Sequence, residues 1–282
     1  MTLEILSTAT TFGGTVQYCR HQATTTKCPM RFSVFTPPQA AHGKVPLLWW
    51  LSGLTCTEDN FTVKAGAYRK AAELGLMIIA PDTSPRGDGV PNDDAYDFGQ
   101  GAGFYVDATQ APWAEHFQMY SYITDELPKL IFGNFPADAS RQGIFGHSMG
   151  GHGALTLALR HRDIFKSVSA FAPIAAPIKC AWGRQAFSRY LGNDETRWTQ
   201  HDASALMSAS HTPYPAGILV DQGLADKFLA EQLLADEFEA ACKIAHQPLT
   251  LEHHAAYDHG YYFISTLMEK HIAFHAAQLN HS

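Results

Sequence analysis

Ile144-Phe145-Gly146-His147-Ser148-Met149-Gly150-Gly151-His152-Gly153, running on into Ala154-Leu155-Thr156-Leu157-Ala158-Leu159, is the stretch on which the fold turns. It reads as an apolar strand end, then G-x-S-x-G, then small residues opening a helix, which is the strand–turn–helix setting of a nucleophile elbow. A turn this sharp brings strand and helix backbones close, and Gly146 and Gly150 lack the Cβ atoms that would collide there. Ser148 is therefore the candidate nucleophile. The first amide of the following helix, Met149 N–H, is the candidate donor to a developing oxyanion.

Working outward, the segments around the elbow alternate between buried strands and helices. Val45-Pro46-Leu47-Leu48-Trp49-Trp50-Leu51 is continuously apolar, as a strand covered on both faces of a parallel sheet must be. The loop that follows it, Ser52 to Thr57, is where such folds place a second oxyanion amide, and Leu54 N–H is the candidate. A helix is expected over Ala65–Leu74, stopped by Gly75, followed by the strand Leu76–Ala80. Before these, Glu4 to Phe35 alternates in the β manner and predicts two or three antiparallel strands. Further on come a helix over Tyr120–Phe132, strands at Val168–Ala172, Gly217–Asp221 and Pro248–His253, a helix over Leu229–Cys242, and a closing helix from about Tyr261. The fold class expected is α/β: an α/β-hydrolase fold, its mostly parallel central sheet carrying antiparallel N-terminal strands and helices on both faces. The 282 residues, 46% hydrophobic, suffice for one such domain spanning 1–282.

Two long irregular stretches are read as pocket wall. Pro81 to Trp113 follows a strand C-terminus, the side on which open α/β sheets bind ligands. The stretch after Pro173, with Trp182, Phe187, Tyr190 and Trp198, would form a cap, although such aromatics commonly serve only packing. Asp88, Asp93, Asp94 and Asp97 do not follow the D-x-[DN]-x-[DN]-G spacing of a calcium loop and are read as turn carboxylates, with no metal.

A serine hydroxyl needs a base, and the base an acceptor, in the order Ser, then Asp or Glu, then His. Asp221 and Asp226 both follow the right strand; Asp226 lies on the loop and is preferred. Of the fifteen histidines, His259 lies in a turn-forming loop, Ala255-Ala256-Tyr257-Asp258-His259-Gly260, just after the last strand. His253 and His254 end that strand, and His271 and His275 fall within the last helix. Asp258 is an alternative partner to His259, better read as a turn residue.

Net charge is -7 and no Lys/Arg-rich run occurs, which argues against nucleic acid and anionic membranes as partners. Cys19, Cys28, Cys56, Cys180 and Cys242 are scattered and odd in number, as expected of reduced thiols in a cytoplasmic protein. The start of the chain lacks a signal-peptide pattern, and no apolar run reaches the roughly 18 residues that span a bilayer.

Several long pieces carry a family resemblance: Leu51-Ser52-Gly53-Leu54-Thr55-Cys56-Thr57, Ala80 to Gly87, Gly101 to Trp113, Gly146 to Gly153, and Tyr257-Asp258-His259-Gly260-Tyr261-Tyr262. The chain resembles the S-formylglutathione hydrolases, the esterase D family of α/β-hydrolases, over essentially its whole length. The resemblance implies a triad at Ser148, Asp226 and His259, oxyanion amides at Leu54 and Met149, no cofactor, and hydrolysis of S-formylglutathione to formate and glutathione in formaldehyde detoxification. Many members carry Ser where this chain has Gly260, a departure beside the base. The family's loop cysteine is matched by Cys56, where a bulky adduct on a near-site thiol would block the pocket; a buried thiol without function is the alternative. Competing readings are a broad short-chain carboxylesterase, an acyltransferase, and a non-catalytic binding protein with this fold. A homodimer is compatible with the sequence.

Overall fold

The computed structural model describes residues 2–280. Nine strands among them form a single sheet in the order β1-β2-β3-β5-β4-β6-β7-β8-β9. The N-terminal strands are β1 (Glu4–Thr11), β2 (Gly14–Gln22) and β3 (Pro29–Thr36), and they pair antiparallel; β3 then joins β5 (Met77–Pro81) antiparallel as well. From β5 onward the sheet is parallel through β4 (Val45–Leu51), β6 (Ala137–His147), β7 (Phe165–Phe171), β8 (Ile218–Gly223) and β9 (Leu249–His254). The mostly parallel sheet with antiparallel N-terminal strands is thus as expected. Every residue of β4 and β5 is buried, the burial that their unbroken apolar runs require.

Side-chain alternation along the strands divides the core between two faces. Trp50 and its register partner Phe145 meet edge to face, Trp50 stacks on Phe61 of the helix Glu58–Lys64, and Phe145 contacts His275 of the helix Tyr261–Leu279. Their neighbours Leu51 and Gly146 turn the other way, toward the helix Met149–Arg160. The buried apolar residues form a contiguous cluster from Val16 to Leu279. No helix among the described residues is long and apolar enough to cross a membrane.

Three helices differ from their expected form, each for a local reason. The helix expected over Ala65–Leu74 begins at Tyr68, because Gly66 at φ +70° breaks it from the helix Glu58–Lys64; its end at left-handed Gly75 is as expected. The one over Tyr120–Phe132 contains a π-turn, Tyr122–Glu126, ahead of Leu127–Asn134. Pro128 cannot donate to the i−4 carbonyl, and widening the preceding turn accommodates it. The third, expected over Leu229–Cys242, is split at Leu234, which stands at φ +53° between a π-turn (Leu229–Leu233) and the helix Ala235–Ile244.

Candidate active site

Ser148 follows β6 directly at φ 58°, ψ -118° and is the N-cap of the helix Met149–Arg160. A side-chain-bearing residue at such an angle costs of order 1–3 kcal/mol and persists only where its surroundings impose it. The imposed geometry is visible in the glycines. A Cβ on Gly150 would overlap the Leu51 carbonyl oxygen, and one on Gly146 would overlap the Gly150 carbonyl, so strand and helix close to their observed separation only with glycine at both places. Ser148 N–H donates to Phe171 O (3.0 Å), pinning the turn to β7.

The turned-out serine borders a cavity of about 290 Å³, shared with Gly53 and Leu54 of the loop after β4 and with His259 of the loop after β9. His259 Nδ1–H donates to Asp226 Oδ2 at 2.5 Å, and the other carboxylate oxygen, Oδ1, accepts from Phe228 N–H at 2.9 Å. The Asp226 carboxylate is fully shielded from solvent, while the imidazole retains partial exposure. Since a carboxylate only accepts, the bond at Nδ1 fixes the proton there and leaves Nε2 as an acceptor. The His259 ring is held between His147 (centroids 4.4 Å apart) and the edge of Phe228 (5.1 Å).

Two backbone amides of the site are without a backbone acceptor among the described residues. Thr55 N–H is used by Gly101 O, Cys56 N–H by Gly53 O and Ser148 N–H by Phe171 O; Leu54 N–H has no backbone acceptor among the described residues. Met149 N–H lies in the first turn of its helix, where no intrahelical acceptor exists. Met149 adjoins Ser148 in sequence, and Leu54 lines the same cavity as Ser148.

The two alternative carboxylates have other work. Asp221, fully buried in β8, accepts from His254 Nε2 (2.7 Å), His271 Nε2 (2.8 Å) and Lys270 Nζ (2.8 Å). His271 in turn bonds Ser169 Oγ (2.8 Å), and Ser169 bonds His275 (2.8 Å), so Ser169, His271 and Asp221 form a hydrogen-bonded Ser–His–Asp chain. All three of its side chains are buried in the core. Burial pushes the Asp221 carboxyl up, but the His271 and Lys270 hydrogen bonds and charges outweigh burial and hold it below the usual carboxylate range. Asp221, Glu252 and His254 could together approach a metal ion, yet Lys270 Nζ already pairs with both carboxylates, at 2.8 Å and 2.9 Å. Asp258 Oδ1 accepts from Gly260 N–H (2.8 Å), a turn contact.

The remaining lining was only partly foreseen. Tyr96 from the Pro81–Trp113 stretch and Trp182 from the stretch after Pro173 meet edge to face at the cavity, whereas Phe187, Tyr190 and Trp198 are buried in packing. His147, the variable residue before Ser148 in the motif, also lines the cavity, and its position one residue from the nucleophile is the sequence signal for it. Burial first, then the adjacent His259, hold His147 well below the ordinary histidine range, so it is neutral. His147 Nε2 and Tyr261 Oη are buried at the cavity without hydrogen-bond partners among the described residues. Cys56 also lines the cavity, half-buried, and burial pushes its thiol up.

The model of the family described as "Putative esterase" matches residues 23–274. An S-formylglutathione hydrolase of Paracoccus denitrificans is 52% identical over 276 residues, covering 98% of each chain. The S-formylglutathione hydrolase of Mus musculus is 52% identical over 282 residues, 99% of this chain and 100% of that one. Among solved structures, an S-formylglutathione hydrolase from Agrobacterium tumefaciens superposes with a TM-score of 0.95 at 51% identity, over 98% of this chain and 99% of its own. With identity of this degree running end to end over a nine-stranded sheet of matching shape, the chain belongs to the S-formylglutathione hydrolase (esterase D) family of α/β-hydrolases.

Proposed function

We propose that this chain is a serine thioesterase that hydrolyses S-formylglutathione to formate and glutathione, acting as one α/β-hydrolase domain through Ser148, His259 and Asp226. Ser148 Oγ attacks the thioester carbonyl carbon while His259 Nε2 takes its proton. The tetrahedral oxyanion accepts hydrogen bonds from Leu54 and Met149 N–H, each donor worth on the order of 3 kcal/mol in sites of this kind. Collapse breaks the C–S bond, and the imidazolium gives its proton to the leaving sulfur. Water, deprotonated by His259, then attacks the formyl-Ser148 ester and releases formate. Asp226 holds the imidazole in the productive tautomer throughout.

The observation that carries this reading is the strained Ser148 sharing one cavity with a His259 already bonded through Nδ1 to a shielded carboxylate. The substrate assignment rests on the relatives named S-formylglutathione hydrolase at about half identity. A cytoplasmic setting is supported by five free cysteines. The test is to compare kcat/KM for S-formylglutathione with that for 4-nitrophenyl acetate, beside fluorophosphonate labelling of wild type and Ser148→Ala. Preference for the thioester and label lost in the variant are expected. A higher kcat/KM on the aryl ester would make the protein a general carboxylesterase, and labelling of Ser148→Ala would remove Ser148 from the mechanism.

A further inference from the structure

The cavity around Ser148 is lined by Gly, Leu, Thr, Cys, Asn, Ser, His and aromatic residues and contributes no Lys, Arg, Asp or Glu side chain. Glutathione, by contrast, brings two carboxylates, one at the end of each arm that diverges from its sulfur. Charge to meet them is found at the mouth. Lys227 Nζ stands 4.9 Å from the centroid of the Phe228 ring, and Lys64 Nζ stands 5.8 Å from that of Tyr261, both rings being cavity walls. Both lysines are exposed and neither has an ion-pair partner among the described residues; Lys44 and Lys166 share that state, but only Lys64 and Lys227 stand over rings that wall the cavity.

Their places in the topology are complementary. Lys64 ends the helix that follows β4, and Lys227 lies in the loop after β8; in the sheet, β4 and β8 stand on opposite sides of β6, which carries Ser148. Each ammonium group sits over a different wall of the cavity that holds Ser148, Lys64 over Tyr261 and Lys227 over Phe228. A ligand with its sulfur over Ser148 and an acid on each of two diverging arms has one ammonium group to meet at each of these walls.

We infer that Lys64 and Lys227 are the substrate-specificity residues that take the two carboxylates of the glutathionyl arm. This rests on the thioester reading above and deepens it. In a chain of net charge -7 a bare acidic ligand is repelled overall, and the two ammonium groups turn that repulsion into local attraction at the mouth. As exposed ion pairs, each is expected to contribute about two- to fivefold in KM, more at low salt than at high.

The test uses S-formylglutathione, its dimethyl ester and 4-nitrophenyl acetate as substrates for wild type, Lys64→Gln, Lys227→Gln, the double variant, and Lys44→Gln, whose site precedes β4 at the far end of the sheet. For wild type, the dimethyl ester is expected to show a KM about 4- to 25-fold above that of the free acid. In the double variant the ratio of kcat/KM on S-formylglutathione to that on 4-nitrophenyl acetate should fall by the same factor, and the acid and its ester should become equal; Lys44→Gln should match wild type. Equal KM for acid and ester in wild type, or an unchanged ratio in a folded double variant, overturns the inference while leaving the thioesterase reading intact. Wild type that turns over 4-nitrophenyl acetate but not S-formylglutathione overturns both.

Discussion

Replacing Asp226 by Asn tests the proposed site most sharply, because the structure fixes which way the amide must face. Asp226 Oδ1 accepts from Phe228 N–H and Oδ2 from His259 Nδ1–H, so both oxygens meet donors. An Asn has one acceptor and one donor end. If its oxygen keeps Phe228 N–H, its NH₂ faces His259 and donates to Nδ1, which forces the imidazole proton onto Nε2, the atom that must accept from Ser148. The flipped amide would set NH₂ against Phe228 N–H, a donor facing a donor in a buried place, at a cost of about 1–3 kcal/mol. The unproductive tautomer is therefore preferred. In serine hydrolases built on this triad the same exchange lowers kcat by about 10⁴-fold, equivalent to about 5.4 kcal/mol of transition-state stabilisation. The assay is kcat on the best substrate for Asp226→Asn and wild type at one pH near neutrality, with thermal denaturation alongside to establish that the variant is folded. A loss smaller than tenfold in a folded variant would refute the assignment of Asp226 as the orienting acid, and with it the tautomer argument.

Other consequences follow from the same geometry. Gly150→Ala places a methyl on the Leu51 carbonyl, and with rigid backbone on both sides we expect either insoluble protein or a stability loss above about 3 kcal/mol in thermal denaturation; a melt within 2 °C of wild type would contradict the close-approach argument. Stability itself should fall in acid. Fully buried His147, His152 and His275 all have folded-state pKa values depressed chiefly by burial, His152 to about 3, so each contributes stability above the unfolded value near 6.5 that is lost as pH drops below it. Asp221, also depressed, adds a further loss below about pH 4. Urea denaturation from pH 8 to 4 should show a declining midpoint beginning near pH 6.5, and a flat profile would oppose this reading. Cys19, Cys28, Cys180 and Cys242 are buried, leaving half-buried Cys56 as the accessible thiol. Because burial raises its pKa, alkylation should be slow at neutral pH and faster in alkali, and the adduct should block turnover. Full activity with Cys56 quantitatively modified would show the adduct is accommodated.

How far the chain could be read in advance depended on whether the relevant force was local. β4 was legible to the residue because a strand buried on both faces must be apolar throughout, and Val45–Leu51 has no polar interruption. The segment Leu229–Cys242 was not, since its apolar spacing continues unbroken through Leu234 while the backbone there turns left-handed, with Leu234 N–H bonded back to Leu229 O and Leu233 buried in the core. Tertiary packing overrode the propensity for a continuous helix. Among the aromatics after Pro173, nothing in their spacing separates Trp182, at the cavity, from Phe187, Tyr190 and Trp198 beneath it, because each satisfies the same apolar pattern.

The sequence by itself determined the alternation of strands and helices, the antiparallel N-terminal start and the elbow at Ser148, since these depend on periodicity and on glycine where two backbones touch. It favoured Asp226 over Asp221 for His259 only by position on the loop, and it gave no partner for Asp221. Asp226 with His259 and Asp221 with His254 are each 33 residues apart, and each pair joins the end of β8 to the end of β9. What only the tertiary structure decided is where each acid points: alternation along β8 turns Asp221 into the core against Lys270 and His271, whereas Asp226, beyond the strand end, meets His259 beside the cavity. A hydrogen bond depends on the direction in which a side chain leaves the backbone, and direction is set by the sheet, not by distance along the chain.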